Sequence, residues 1–153
     1  MTICVLGFDV GSRRIGVAVG NTLSQTARAI AMVAATDDGP DWKQVEALVR
    51  EWRPDRILVG EPLTLDGQTQ LATHMARRFA QEAATRYGVP VDMIDERSTS
   101  READRLFAER RRSGQARRRD AAMQDALAAQ IIVERWLRDG IGLPAMPLAN
   151  TAD

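Results

Sequence analysis

The sequence predicts an α/β fold: a mixed sheet with helices on both faces. Three observations carry this. The chain opens on two short apolar, β-prone runs, residues 3–10 (ICVLGFDV) and 15–20 (IGVAVG), joined by the polar turn GSRR at 11–14. That spacing suits an antiparallel hairpin. Further along, helix-length segments separate short apolar runs, which implies crossovers and a parallel portion of the sheet. The balance of 44% apolar and 27% charged residues in 153 is that of one globular domain.

The elements follow in order. Residues 28–35 (RAIAMVAA) read as a third strand. Pro40 opens a helix over 41–52, with Trp42, Val45, Val49 and Trp52 on one face. Pro54 ends it, because the residue before a proline disfavours helix. Residues 56–60 (RILVG) form a short buried strand, followed by a polar loop with the turn signal Asp66-Gly67. A helix over 68–87 carries Leu71, Met75, Phe79 and Ala83 at a spacing of four, and Gly88 and Pro90 stop it. Residues 90–94 (PVDMI) are the fifth strand, with Asp95-Glu96-Arg97 at its end. The capping box Thr99-x-x-Glu102 starts a helix to about Arg111. A basic loop at 112–118 leads to a last helix from about Asp120 to Arg138. The domain is expected to span 1–138, with 139–153, rich in glycine and proline, as a flexible tail.

Composition excludes several chemistries. One cysteine, Cys4, forbids an internal disulfide and a thiolate metal cage; one histidine, His74, forbids a site built on two imidazoles. Cys4 reads as a core residue, His74 as a structural or exposed one, and Trp42, Trp52 and Trp136 as core or interface. No apolar run approaches the roughly 20 residues that span a bilayer. The N-terminus lacks a signal peptide's basic region, so a cytoplasmic protein without a membrane partner is expected. Net charge is zero, yet residues 97–119 hold nine arginines against three acids. Arginine's planar fork suits phosphate oxygens, although such a run also fits a solvated face.

Open α/β sheets place their sites beyond the carboxyl ends of parallel strands. Asp9, Glu61 and Glu96 fall at strand ends. Asp125 lies in the last helix on a stripe of Ala121, Ala122, Ala128, Ala129 and Ile132. A carboxylate on such a stripe needs an arginine or a metal beside it, since burial unpaired costs several kcal/mol. Each acid alone fits a structural role. Together, without histidine or cysteine, they form the oxygen donor set of Mg²⁺ or Mn²⁺. Two such ions support phosphodiester cleavage.

Four motifs then match a known family in order and spacing over residues 3–138. Asp9-Val10-Gly11-Ser12-Arg13-Arg14-Ile15-Gly16-Val17-Ala18 resembles the D-x-G-x-x-R-I-G-V-A opening of the YqgF/RuvX family. Ile57 to Leu63 with Asp66-Gly67 is similar to its V-G-x-P-L…D-G segment. Asp95-Glu96-Arg97 resembles its D-E-R motif, and Asp125-x-x-Ala128-Ala129-x-x-Ile132 its C-terminal helix. The resemblance implies an RNase H-like fold with a five-stranded mixed sheet ordered 3-2-1-4-5. It implies a metal-dependent nuclease, of a family described both as Holliday junction resolvases and as nucleases maturing the small-subunit ribosomal RNA precursor. Asp9, Glu96 and Asp125 carry over as catalytic and metal-binding acids. The chain departs from the family at Glu61 and at Ser98, where leucine is usual. Glu61 therefore either joins the metal site or faces solvent.

Three function classes follow. The first is a two-metal endonuclease on structured nucleic acid. Asp9 is shared between Mg²⁺ or Mn²⁺ ions, Glu96 and Asp125 complete them, and Arg14, Arg97, Arg117, Arg118 and Arg119 hold phosphates. The second is a non-catalytic nucleic-acid-binding module of the same fold. The third is an actin-like kinase, which needs two related domains where this length supplies one. The sequence leaves open ribosomal RNA precursor against branched DNA, and monomer against homodimer; cutting a junction's two equivalent strands favours a two-fold dimer.

Overall fold

The computed structural model describes residues 3–96 and 121–139, with side chains in the second segment described for 126–138. Six strands make one sheet: β1 (Cys4–Val10), β2 (Arg14–Asn21), β3 (Thr26–Thr36), β4 (Gly39–Pro40), β5 (Arg56–Glu61) and β6 (Val91–Asp95). Three helices complete the described residues: α1 (Trp42–Trp52), α2 (Leu71–Tyr87) and α3 (Ala121–Asp139). The strand order is β4-β3-β2-β1-β5-β6. β1 pairs antiparallel with β2 and parallel with β5, and β5 pairs parallel with β6. The five longer strands thus stand in the predicted order. The expected helix at 99–111, the basic loop and the tail from residue 140 lie outside the described residues.

The sixth strand corrects the expected count of five. Gly39 adopts a φ of 114°, which an L side chain rarely tolerates, so the chain can fold back on β3. Pro40, lacking an N–H, sits in the outermost strand, where no ladder bond is asked of it. Asp41 then caps α1, its side chain accepting from the Lys43 N–H at 3.1 Å.

Alternation along the strands divides the interior in two. Leu6, Phe8, Ile15, Val17, Ile57 and Val59 face α1 and α2, where Val45, Ala76, Phe79 and Ala83 meet them. Val5, Ala18 and Leu58 face the other way, toward Ala129, Ile132, Val133 and Leu137 of α3. Helices therefore cover both faces, as predicted.

The apolar stripe of α2 sits one step away from the expected one. Ala76, Phe79, Ala80 and Ala83 are buried, whereas Leu71 is 77% exposed. The helix begins at 71 rather than 68, because residues 64–68 close on themselves. The Thr64 N–H donates to the Gln68 carbonyl at 3.0 Å and the Gly67 N–H to the Thr64 carbonyl at 2.8 Å. Trp42 stacks on Phe79 with ring centroids 5.0 Å apart, and Trp136 packs beside the second core. His74 is exposed.

Contacts of α3 fix its direction. The Ala129 carbonyl and the Val133 side chain lie against Gly7, Val133 also reaches Gly20, and Leu137 shares a cluster with Val5. The helix therefore runs antiparallel to β1. A side chain at Gly7 would strike Val133, so glycine allows the helix to lie close to the sheet.

Candidate active site

The carboxyl ends of β1, β5 and β6 lie side by side at one edge of the sheet. Asp9 comes near the end of β1, paired across to Gly16 of β2. Glu96 follows β6, and its backbone N–H donates to the Glu61 carbonyl at 3.2 Å. β5 stands between these two strands, and Gly60 is the feature that lets the acids approach. A β-carbon at Gly60 would come within 2.8 Å of Glu96 Cδ, nearer still to Glu96 Oε2, and within 2.6 Å of Ile132 Cδ1. The Glu96 side chain thus lies back across β5 toward β1, on the face that α3 covers.

Electrostatics records the same proximity. The Glu96 carboxyl is pushed up to about 7 from 4.5, chiefly by loss of hydration and then by the negative charges of Asp9 and Asp95. Two half-buried carboxylates that repel one another with little hydration, with no sulfur or imidazole beside them, fit a hard divalent cation. Among the described residues no group of three or more acids, histidines or cysteines is placed to hold a metal ion.

Asp125 is the third predicted acid, and its side chain lies outside the described residues. Its backbone position is known. Four helical residues rise about 6 Å, close to the roughly 6.6 Å of two strand residues. With Ala129 over Gly7, helix position 125 therefore comes level with Asp9.

Arg14 opens β2 at the same edge. Strand alternation puts it on the face of Gly16 and Ala18, which is the face of Asp9. Arg97, Arg117, Arg118 and Arg119 lie outside the described residues.

Glu61 takes the opposite face. Its Oε2 accepts from Arg77 Nε of α2 at 2.7 Å, and its side chain is 19% exposed against 47% for Arg77. The alternative left open at this position is thereby narrowed: the Glu61 carboxylate neither faces open solvent nor lies with Glu96. Arg77 was not among the residues expected at the site. In the sequence it shows only as one of a pair of arginines on the polar side of α2.

The model of the family described as "RuvX: Holliday junction resolvase" matches residues 3–139. The chain belongs to the RuvX family. RuvX relatives agree over nearly all of the domain. A protein of Xanthomonas oryzae pv. oryzae named "Putative pre-16S rRNA nuclease" is 55% identical over 133 residues, covering 87% of this chain and 86% of its own. One of the same name from Xanthomonas axonopodis pv. citri is 54% identical over the same coverage.

Solved structures agree on the fold. RuvC of T. thermophilus in complex with a Holliday junction substrate has a TM-score of 0.61 at 20% identity, covering 95% of this chain and all of that one. The yeast mitochondrial Holliday junction resolvase has a TM-score of 0.50 at 14% identity, over 88% of this chain and 77% of that one. Among the described residues no helix is long and apolar enough to cross a membrane.

Proposed function

We propose that this RuvX protein is a divalent-metal-dependent endonuclease acting on structured nucleic acid, with the precursor of the small-subunit ribosomal RNA as its first-choice substrate. The observation that carries the reading is the approach of Glu96 to Asp9 across the bare backbone of Gly60. The RNA assignment draws on relatives at 54–55% identity that carry the pre-16S rRNA nuclease name. Branched DNA is the second reading, because the family model bears the resolvase description. We infer a cytoplasmic protein of one domain over residues 1–138, working as a monomer on RNA or as a two-fold dimer on a junction.

Asp9 and Glu96 are the residues that would hold Mg²⁺ or Mn²⁺, with Asp125 as the third donor from helix position 125. A cation held there would lower the pKa of a bound water and would offset negative charge on a leaving oxygen. The chain's own groups do the positioning. The Glu61 carbonyl fixes the backbone of Glu96, and Gly60 leaves room for the side chain above β5. Arg14, on the face of Asp9, is a phosphate contact beside the cut, and Arg97, Arg117, Arg118 and Arg119 extend that contact.

The test compares a labelled ribosomal RNA precursor with a four-way DNA junction, each with Mg²⁺ and with Mn²⁺, for wild type and Asp9→Asn. Cleavage of the RNA that vanishes in the variant supports the first reading; cleavage of the junction alone moves the assignment to DNA. Binding in chelator with no cleavage of either substrate would leave a non-catalytic binding module instead.

A further inference from the structure

Arg77 and Glu61 form an arrangement that the carboxylate site does not account for. Arg77 uses Nε to bind Glu61 at 2.7 Å, and no other polar partner of Arg77 is found among the described residues. Among the described residues the four N–H groups of its two terminal nitrogens meet no acceptor, on a side chain that is 47% exposed. Its partner Glu61 is the residue whose carbonyl receives the Glu96 N–H at 3.2 Å. One residue therefore ties down the acid on one face of the sheet and a half-exposed guanidinium on the other. Consecutive Cα atoms are about 3.8 Å apart, so the Glu96 carboxyl over Gly60 and the side chain of Glu61 flank a single point at this end of β5.

We propose that Arg77 is a phosphate-binding residue for the nucleic-acid backbone next to the cut, oriented by Glu61; this rests on the nuclease reading above. Two physical arguments support it. A guanidinium with one nitrogen already fixed loses less side-chain freedom on binding a phosphate than an untethered one, and its remaining edge is planar and bidentate. The second concerns self-quenching. Asp95 stands in register with Glu61 on the neighbouring strand, and Glu96 follows it. An untethered arginine at this end of the sheet would be drawn to these carboxylates before substrate arrived. The Glu61 carboxylate holds Arg77 on the α2 side, which keeps this guanidinium off the metal-binding acids and turned toward a phosphate.

The ion pair alone also suits a purely structural role, so the experiment reads charge at the nucleic acid rather than stability. Binding of the full-length protein to a fluorescent RNA hairpin from the precursor, and separately to a four-way DNA junction, is measured in chelator from 50 to 300 mM salt. Removing one phosphate-neutralising group makes the slope of log K against log salt shallower by about 0.9 on duplex DNA and about 0.7 on single strands. Arg77→Met, which keeps the side-chain stem, is expected to show a slope shallower by one such step and to bind about tenfold more weakly at low salt. Arg77→Lys should keep the slope.

The double variant Glu61→Leu/Arg77→Met replaces the ion pair by an apolar pair. It should melt near the wild type while showing the shallower slope, which separates a missing charge from a damaged fold. A slope unchanged in both methionine variants overturns the proposal, even where wild type cleaves its substrate. A wild type that binds neither nucleic acid overturns the nuclease reading together with it.

Discussion

Glu96 occupies the space that a side chain at Gly60 would fill. Its carboxyl carbon lies 2.8 Å from where a β-carbon would stand, and Ile132 of α3 closes the same space at 2.6 Å. Substitution there tests whether this approach creates the site. Gly60→Ala must push Glu96 off β5, displace Ile132, or both. Overpacking of this kind costs about 1–3 kcal/mol, which the domain is expected to survive. Cleavage should fall at least a hundredfold while circular dichroism still reports a folded chain. A Gly60→Ala protein that cleaves at the wild-type rate would show that Glu96 works from another position.

The raised Glu96 carboxyl predicts how stability depends on pH. An acid ordinarily near 4.5 and held at about 7 in the folded protein binds more protons folded than unfolded between those values. The Glu96 contribution to the stability of the metal-free protein should therefore be fully present below about pH 4.5 and be lost as pH rises through 7. The shift corresponds to about 3 kcal/mol at most. Thermal melts in chelator at pH 5, 6, 7 and 8 should show the decline, and Glu96→Gln should flatten it. Mg²⁺ must displace the same proton. Its affinity by calorimetry should weaken as pH falls below 7, approaching tenfold per pH unit. A metal isotherm flat from pH 5.5 to 8 would remove Glu96 from the donor set.

Asp9 contributes to that shift, which gives an independent readout of the pair. Asp9→Asn removes one of the two neighbouring negative charges that raise the Glu96 carboxyl. The Glu96 titration followed by carboxyl-carbon NMR should move to lower pH in the variant, and metal-dependent cleavage should drop by three orders of magnitude or more. An unmoved Glu96 titration would mean that burial and Asp95 set it and that Asp9 and Glu96 do not share a site.

How much of this was legible from sequence depends on the range of the interaction. The hairpin around GSRR, the strand at 56–60 and the helix stops at Gly88 and Pro90 are local events, written in periodicity and turn residues. The order of the strands came instead from the family motifs, since local patterns do not record which strands meet. β4 escaped because two residues carry no period, and Pro40 signals a helix start as readily as an edge. α2 starts three residues later than the apolar spacing predicts because residues 64–68 close on themselves, a turn that the helical period does not show. Asp9 and Glu96 were visible as acids at strand ends. The cause of their approach, the missing side chain of Gly60 on the strand between them, requires the pairing register. Arg77 was illegible for the same reason: its partner is 16 residues away on another element.

One stability prediction concerns α3 and leaves the site alone. The sheet is irregular between Val17 and Ala18, where β2 and β3 lose register. There the Ala29 N–H donates to Gln130 Oε1 at 3.1 Å, and Gln130 Nε2 reaches Glu134 at 3.2 Å. Gln130 is itself buried. Gln130→Leu deletes an acceptor beside a strand amide and should destabilise the domain by about 1–3 kcal/mol. Chemical denaturation should show a lower midpoint with an unchanged slope, and cleavage at saturating substrate well below the melting temperature should stay within about twofold of wild type.

Glu61 is expected to serve Arg77 and not the cation. A glutamate at the end of β5 stands where a metal ligand could, but its carboxylate is committed to Arg77 on the α2 side of the sheet. Glu61→Gln retains the backbone carbonyl that holds Glu96 and keeps a hydrogen-bond acceptor for Arg77 Nε. Mn²⁺ binding by calorimetry should therefore match wild type within about twofold, whereas Glu96→Gln should weaken it at least tenfold. If Glu61→Gln weakened Mn²⁺ as much as Glu96→Gln does, Glu61 would have to leave Arg77 when the cation binds, and the ion pair would belong to the metal-free form of the site alone.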